Sequence, residues 1–163
     1  MRNKLFWIFL YLSVASSAYS QDKVSVIYCG IGNDIYSIFG HVGIRVSNKD
    51  SDVVYNFGTF DPSTPEFVPK FIRGDLHYSL SREDYNQFLS TYRSENREVI
   101  EYNLSLSPQE TSDIENELLK TYNSNLRYYR YQFLKDNCST RIYQSLQESL
   151  GKRLSVHNNR KSE

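Results

Sequence analysis

The sequence predicts an α+β domain in which helices pack against an antiparallel sheet. Segments 23–28, 41–46 and 53–57 have the short apolar alternation of strands, and the last two are joined by turn residues. Segments 107–122 and 138–150 instead have apolar residues at helical spacing behind capping residues. Strand and helix patterns do not alternate regularly, and this is typical of α+β rather than α/β proteins.

Composition indicates one domain and excludes some partners. The chain has 163 residues and a formal net charge of zero. No segment forms a basic stripe, so we expect no nucleic-acid partner. Aromatic residues make up 15% of the chain. This content is compatible both with ordinary core packing and with a groove for an apolar or amphipathic ligand.

Residues 1–20 have the pattern of a cleavable signal peptide. Arg2 and Lys4 form a basic start, residues 5–15 are an apolar run too short to span a bilayer, and small residues precede a cut before Gln21. No cysteine stands at the cut, so we do not expect a lipoprotein signal. The mature protein should be exported.

After the signal peptide we expect one domain at 21–151 and a polar tail at 152–163 that frays. Within the domain, the pattern predicts strands at 76–80 and 99–104. It predicts a short helix at 66–73, interrupted by Pro69 and closed by Gly74, a second helix from a Ser81 cap to about residue 94, and a third helix capped by Ser107. Residues 128–133 connect this third helix to the segment that contains Cys138.

The hairpin at 41–57 places a histidine beside an asparagine. In a two-residue loop His41 lies opposite Asn56, and in a four-residue loop it lies opposite Gly58. In both registers Tyr55 and its apolar neighbours take one face, while Asn56 shares the face of His41 and Arg45. Unless a bulge intervenes, Asn56 is placed to hold the imidazole.

Cys138 lies in the first turn of the last predicted helix. Asp136 or Asn137 can cap this helix, and Gly151 ends it. Unpaired amides and the helix dipole at such a position favour negative charge, which lowers the pKa of a thiol. Cys29 is the other cysteine, and from spacing alone a disulfide between the two and two free thiols are equally compatible.

Together, His41 and Cys138 have the residue types of a base and a nucleophile. Taken singly, a strand histidine is more often a satisfied polar residue, and a helix cysteine is more often a core thiol. The histidines at 41, 77 and 157 and the two cysteines lack metal-ligand spacing, so we expect no metal and no other cofactor. Neither a serine-hydrolase elbow nor a phosphate-binding glycine loop occurs.

Five segments, in order, resemble the N-terminal periplasmic domain of Lnb-type bacterial lipoprotein N-acyltransferases. They are Y-S-I-F-G-H-V-G-I-R-V at 36–46, V-V-Y-N-F-G-T-F-D at 53–61, F-I-R-G-D-L-H-Y-S-L at 71–80, N-R-E-V-I-E-Y-N-L-S-L at 96–106 and D-N-C-S-T-R-I at 136–142. The resemblance covers about residues 24–150. Gln132 departs from it, because the family commonly has an acid there.

The resemblance implies a periplasmic enzyme with His41 and Cys138 as its catalytic pair. A histidine on a strand followed by a cysteine on a later helix is similar to circularly permuted papain-like folds, including NlpC-type peptidases. Family members continue into a membrane-spanning part, whereas this chain ends at Glu163. A fragment, a stand-alone paralogue and a non-catalytic relative therefore all stay open as expectations, and so does a separate membrane-spanning partner that completes the enzyme.

The leading hypothesis is a thiol acyltransferase at the membrane surface, with phospholipid and lipoprotein substrates. Cys138 would carry the acyl group, His41 would move the proton and Asn56 would orient His41. Substrate-binding or bracing roles are expected for Arg45, Tyr55, Asn137 and Arg141. Two alternatives stay open: a cysteine peptidase or amidase acting on peptidoglycan, and a non-catalytic envelope domain with a Cys29–Cys138 disulfide.

Overall fold

A computed structural model of the chain describes residues 22–155. The predicted signal peptide lies outside the described residues. The strands are β1 (Lys23–Cys29), β2 (His41–Ser47), β3 (Asp52–Thr59), β4 (His77–Asp84), β5 (Val99–Asn103) and β6 (Tyr128–Arg130). The helices are α1 (Phe67–Arg73), α2 (Tyr85–Ser94), α3 (Pro108–Tyr122) and α4 (Cys138–Leu150), with short 3-10 turns at Asn125–Arg127 and Gly151–Arg153.

All six strands form one sheet in the order β5-β1-β2-β3-β4-β6, and every neighbouring pair is antiparallel. This confirms the predicted α+β class with an antiparallel sheet. Within residues 22–155, no helix has the length and apolar character that a bilayer crossing needs.

The hairpin between β2 and β3 has the longer of the two predicted loops. Ser47 pairs with Asp52 and Ile44 pairs with Tyr55, so four residues form the turn. Asn48 closes this turn, because its side-chain oxygen accepts hydrogen bonds from the amides of Asp50 and Ser51. Extending the register places Gly58, not Asn56, opposite His41.

Both faces of the sheet are covered by helices. On one face, α3 and α4 bury a core that includes Ile44, Val46, Tyr55, Phe57, Ile114, Leu118 and Ile142. On the other face, α2 covers a smaller cluster of Ile27, Cys29, Val54, Phe88 and Tyr92. The face of the sheet that carries His41 is therefore the face covered by α2, and it is not open to solvent.

Helix α2 begins three residues later than the sequence predicts. Ser81 is not its cap, because Ser81 pairs with Asn56 in the sheet and hydrogen bonds with Thr59 across the strands. β4 continues to Asp84, whose carboxylate accepts hydrogen bonds from the amides of Asn86 and Gln87. The sheet pairing of β4 prevails over the capping tendency of an isolated serine.

Two smaller predictions are also wrong. Pro69 does not interrupt α1, because it lies in the first turn, where its missing N–H has no partner to lose. The tail does not fray at its start. Arg153 contacts Glu110 and the carbonyl of Ser105, and Leu154 packs against the core. By contrast, the predicted capping box of Ser107 and Glu110 is confirmed.

The start of α2 gives a stability prediction. Replacing Asp84 by Ala should lower the free energy of unfolding by about 1 kcal/mol, since two first-turn amides lose their acceptor. Urea denaturation measures this difference. Asp84→Asn is the matched control and should stay near the wild type, because asparagine caps equally well. An Asp84→Ala protein as stable as wild type would contradict the assigned helix start.

Candidate active site

Cys138 is the first residue of α4. Asn137 is the N-cap: its side-chain oxygen accepts a hydrogen bond from the Thr140 amide at 3.1 Å, and the Thr140 hydroxyl accepts one from the Asn137 amide at 2.8 Å. The first intrahelical bond joins the Arg141 amide to the Asn137 carbonyl. The amides of Cys138 and Ser139 precede it and lack an intrahelical acceptor, as in any helix start.

His41 is the first residue of β2, so its side chain stands at one end of the sheet. Gly40 makes this entry possible. Its φ is +74°, and a Cβ atom there would lie 2.8 Å from the Cys29 carbonyl oxygen. The start of α4 lies against the same end, and the Cys138 thiol hydrogen bonds with the His41 side chain. The predicted proximity of Cys138 and His41 is thus present.

Asn56 fixes the tautomer of His41. Its Oδ1 atom lies 2.7 Å from His41 Nε2 and accepts a second hydrogen bond, also 2.7 Å, from the Gly58 amide. An amide oxygen can only accept, so Nε2 must carry a proton and donate it. Nδ1 is then the nitrogen left for the thiol of Cys138, and its lone pair is suited to taking the thiol proton.

A register shift between β3 and β4 occurs between Asn56 and Thr59. The predicted Asn56–His41 contact would fail with a bulge in the β2–β3 hairpin, which is a different pair of strands. The contact forms, because β2 and β3 remain in regular register up to Ile44 and Tyr55. The register shift affects the pairing of β3 with β4, on the edge of β3 that faces away from β2.

Gly58 allows the imidazole to lie close to the backbone of β3. A Cβ atom at this position would overlap Cε1 of His41 and approach Nδ1 of the ring and Oδ1 of Asn56 to 3.0 Å. All three atoms belong to His41 or Asn56, the two residues whose hydrogen bond orients the imidazole. Any larger residue would push the imidazole away from its place between Asn56 and Cys138.

The surroundings of Cys138 favour its ionised form. Burial raises the pKa of the thiol, but the hydrogen bond and positive charge of His41, the Val42 backbone amide and the Ser139 hydroxyl outweigh burial and lower the pKa to about 7. A thiol with this pKa is about half ionised at neutral pH.

Cys29 has the opposite character. It is fully buried, and burial raises the pKa of its thiol to about 12, although hydrogen bonding to Tyr92 acts in the other direction. Both cysteines are free, so the alternative with a Cys29–Cys138 disulfide is wrong for this structure. Cys29 is a core thiol on the strand beside His41.

A cleft of about 480 Å³ opens at the pair. Cys138, His41, Asn56 and Asn137 line it, and much of the remaining wall is aromatic. The aromatic part of the wall consists of Tyr36, Phe39, Phe57, Phe60, Tyr78, Tyr92, Tyr131 and Phe133. The high aromatic content therefore serves a groove as well as the core, which composition alone left open.

Of the residues expected to bind substrate or brace the site, Asn137 lies at the cleft. Arg45 is held by Asp52 at 2.7 Å and Glu101 at 2.9 Å. Arg141 is held by Asp136 at 2.5 Å. Neither arginine is among the residues lining the cleft, and their guanidinium donors are used on carboxylates, which supports bracing.

Tyr55 is not among the residues that line the cleft. It is fully buried in the core beneath α3 and α4, on the face of β3 opposite to Asn56. Strand alternation alone separates its side chain from His41. Its role is to fill the core under the site.

The sequence alone does not indicate the contribution of Gly58 or of Tyr92 to the site. Gly58 was placed opposite His41 in one register, but the need for a missing side chain there is visible only in the packed structure. Tyr92 stacks nearly parallel to the imidazole, with an interplanar angle of 3° and ring centroids 6.5 Å apart. In the sequence, Tyr92 belongs to the apolar residues at helical spacing in α2, and this pattern predicts burial but not a contact with His41.

Within residues 22–155, no cluster of three or more histidine, cysteine or acidic residues is arranged to hold a metal ion. The cleft brings the Cys138 thiol, the His41 imidazole and the first turn of α4 together. A paired thiol and imidazole of this kind can carry out nucleophilic attack on a carbonyl carbon.

The fold and the site together define an α+β domain with a cysteine–histidine pair at an aromatic cleft. Residues 12–160 match the family model of the Lnb N-terminal periplasmic domain, and the chain belongs to this family. The protein is accordingly periplasmic. No match was found among curated proteins or among solved structures.

The lowered pKa of Cys138 predicts a specific pH profile for thiol modification. The rate of alkylation by iodoacetamide, followed by peptide mass, should rise with a midpoint near pH 7. In His41→Ala the midpoint should move toward the ordinary thiol value, and the rate at pH 7 should fall by about tenfold or more. Cys29 should react only on unfolding. A wild-type midpoint near 9 would refute the pairing.

The close approach at Gly58 predicts that Gly58→Ala disables the thiol without unfolding the protein. Displacement of His41 should slow alkylation of Cys138 at pH 7 by about tenfold, since the thiolate loses its partner. Gly151→Ala is the control. Its φ of +53° makes alanine strained, while no atom lies within 4 Å of the new methyl group. It should lose stability but keep wild-type alkylation, and equal rates in both variants would contradict the account.

Proposed function

We propose that this domain is a cysteine-dependent acyltransferase. In this proposal Cys138 accepts an acyl group from a phospholipid ester and passes it to the α-amine of a lipoprotein's lipidated cysteine. The observation that carries the proposal is the Cys138 thiol, lowered in pKa and hydrogen bonded to an oriented imidazole, at the wall of an aromatic cleft. Membership of the Lnb N-terminal domain family supports the same chemistry.

The first half-reaction would form a thioester. His41 Nδ1 takes the thiol proton while the sulfur of Cys138 attacks the ester carbonyl. The amides of Cys138 and Ser139, in the first turn of α4 at the positive end of its dipole, would stabilise the oxyanion that develops. The imidazolium then gives its proton to the leaving alcohol, and a lysophospholipid departs.

The second half-reaction would reverse these roles. The neutral amine of the acceptor attacks the thioester, an amide bond forms and the sulfur leaves as thiolate. His41 takes the proton lost by the amine and returns it to Cys138, so the site is restored. Asn56 keeps Nε2 protonated throughout, which confines proton transfer to Nδ1.

The cleft wall supports an acyl group as the transferred unit. An open polar cleft would suit a peptide cut from peptidoglycan, whereas here Phe39 and Phe133 lie in ring contact with centroids 4.4 Å apart beside the site. Phe60 and Tyr78 extend the same apolar wall. We therefore prefer acyl transfer over the peptidase or amidase alternative, which uses the same pair.

The rim of the cleft supports work at a membrane surface. Two loops carry exposed apolar side chains next to the site. They are Ile31 (68% exposed), Ile38 (44%), Phe39 (61%), Phe133 (44%) and Leu134 (84%). Such side chains at the mouth of a cleft can enter the lipid interface and bring the thiol to an ester group.

The order of the pair supports a wider relationship. A histidine at the start of an early strand and a cysteine at the start of a later helix are arranged as in circularly permuted papain-like enzymes, such as NlpC-type peptidases. We include this architecture in the proposal. We also propose that a separate membrane-spanning partner can complete the enzyme, as the family resemblance implies.

The proposal predicts a covalent intermediate. Purified protein incubated with phospholipid vesicles should gain the mass of one acyl chain on Cys138, and neutral hydroxylamine should remove it. Intact-protein mass spectrometry makes the measurement. Cys138→Ser should gain no hydroxylamine-labile mass, while Cys29→Ala should still be acylated. No adduct from phospholipid, together with cleavage of muropeptides, would overturn acyl transfer in favour of the peptidase alternative.

The same assay separates the role of the rim from that of the site. Ile38 lies on the rim but is not among the residues that line the cleft. Ile38→Asp should lower acylation from vesicles several-fold, because a carboxylate resists entry into the interface, yet leave reaction with a dispersed short-chain phospholipid unchanged. Leu126→Asp is the matched control, since Leu126 is 63% exposed and belongs to the 3-10 turn at Asn125–Arg127, outside both rim loops. Equal loss in both variants would argue against a membrane-facing rim.

A further inference from the structure

Glu83 lies beside Asn56 on the face of the sheet that carries His41. In the β3–β4 ladder, Val54 is opposite Glu83 and Asn56 is opposite Ser81. Glu83 is therefore the diagonal neighbour of Asn56 on the next strand, a distance that a glutamate side chain can bridge. The Asn56 side-chain amide donates a hydrogen bond to the Glu83 carboxylate.

This carboxylate is half-buried and lacks an ordinary cationic partner. Among residues 22–155, no ion pair between a lysine or arginine and a carboxylate includes Glu83. Burial raises its pKa, while the Asn56 hydrogen bond and the positive charge of His41 lower it. A half-buried acid without a cation is costly, and here the available cation is an imidazolium.

The groups that face Glu83 come from three elements. His41 belongs to β2, Asn56 to β3, and Tyr92 to α2, where the Glu83 charge helps to raise the pKa of the phenol. Cys29 and Arg97 lie next to Tyr92, and Arg97 stacks over its ring at 4.6 Å. Arg97 is already paired with Glu95 at 2.9 Å and with the Gly30 carbonyl.

We propose that Glu83 is a positioning residue that orients Asn56 and favours the thiolate–imidazolium form of the Cys138–His41 pair. This inference rests on the proposed function of that pair, and it adds a fourth member to the site. Neither the motif segments nor the spacing of the sequence singles out Glu83.

Glu83 would act in two ways. An asparagine side chain can present either its oxygen or its nitrogen to a neighbour, and a carboxylate accepts only from the nitrogen. Glu83 therefore turns the Asn56 oxygen toward His41, where it requires a proton on Nε2. When Nδ1 takes the thiol proton, the ring becomes positive, and the nearby carboxylate stabilises it. Both effects draw the proton from sulfur to nitrogen.

The test compares the pH dependence of Cys138 alkylation in wild type and Glu83→Gln, an isosteric change that removes only the charge. We expect the midpoint to rise by about one pH unit in Glu83→Gln, because the imidazolium loses a nearby negative charge. The rate at high pH, where the thiol is fully ionised, should not change. A purely structural role would alter stability but leave the midpoint in place.

Glu115→Gln is the matched control, because Glu115 is a half-exposed carboxylate on α3, against the opposite face of the sheet. Its profile should coincide with that of wild type. A wild-type midpoint in Glu83→Gln, or an equal rise in both variants, would overturn the proposal. The assay uses no lipid, so a missing acyl adduct would refute the proposed function and leave this inference standing.

A second measurement keeps the proposal testable if Glu83→Gln does not fold. In protein with carbon-13 in its glutamate carboxyl groups, the Glu83 titration can be followed in wild type and in His41→Ala. His41→Ala removes the imidazolium whose positive charge lowers the pKa of Glu83, so the Glu83 midpoint should rise. An unchanged midpoint would overturn the proposal.

Discussion

The hydrogen bonds that hold the His41 imidazole between Asn56 and Cys138 are the interaction on which the site depends. Asn56 Oδ1 accepts one hydrogen bond from His41 Nε2 and another from the Gly58 amide, both at 2.7 Å, so its orientation is fixed from two sides. Nδ1 is left facing a thiol at a helix start. Every other feature of the site either supports this arrangement or gives it access to a substrate.

The sheet makes this arrangement rigid. β2 and β3 are central strands, and the helices on both faces bury them, so the backbone positions of His41 and Asn56 are fixed by packing. The N-cap of α4 sets the third position, because the Asn137–Thr140 capping box fixes where Cys138 begins the helix. A site built on the ends of regular elements needs few additional restraints.

Two thiols in one small domain show how environment decides reactivity. Cys29 and His41 are register partners on neighbouring strands, yet burial raises the pKa of Cys29 to about 12. Burial also raises the pKa of Cys138, but a base and two further hydrogen-bond partners more than compensate, and the pKa is about 7. Proximity to His41 is thus insufficient: at Cys29 burial outweighs a single hydrogen bond with Tyr92, whereas at Cys138 three hydrogen-bond partners and the His41 charge outweigh burial.

The sequence was most informative where local chemistry decides structure. The caps at Ser107 and Asn137, the strand alternation at 41–46 and the shared face of His41 and Asn56 all depend on near neighbours, and all are present. Predictions from the sequence failed or stayed open where pairing between distant strands decides the local structure. Ser81 joins the ladder with β3 and cannot cap α2, and the loop length that aligns Gly58 with His41 depends on turn hydrogen bonds.

The residues that line the cleft could not be predicted from the sequence for a related reason. Phe39, Phe60 and Phe133 come from separate loops, and their common wall exists only after folding. Tyr55 is buried on the face that strand alternation predicts for it, away from Asn56 and the cleft. Glu83 escaped notice because its relation to Asn56 depends on the β3–β4 register.

An experimental structure of the protein carrying a long alkyl chain on Cys138, attached as a stable thioether by an alkyl iodoacetamide, tests the central claim most directly. The account predicts that the chain lies along the aromatic wall formed by Phe39, Phe60 and Tyr78. It also predicts that the carbonyl oxygen of the adduct faces the amides of Cys138 and Ser139, with His41 still bonded to Asn56. A chain lying outside the cleft, with the carbonyl turned away from those amides, would contradict it.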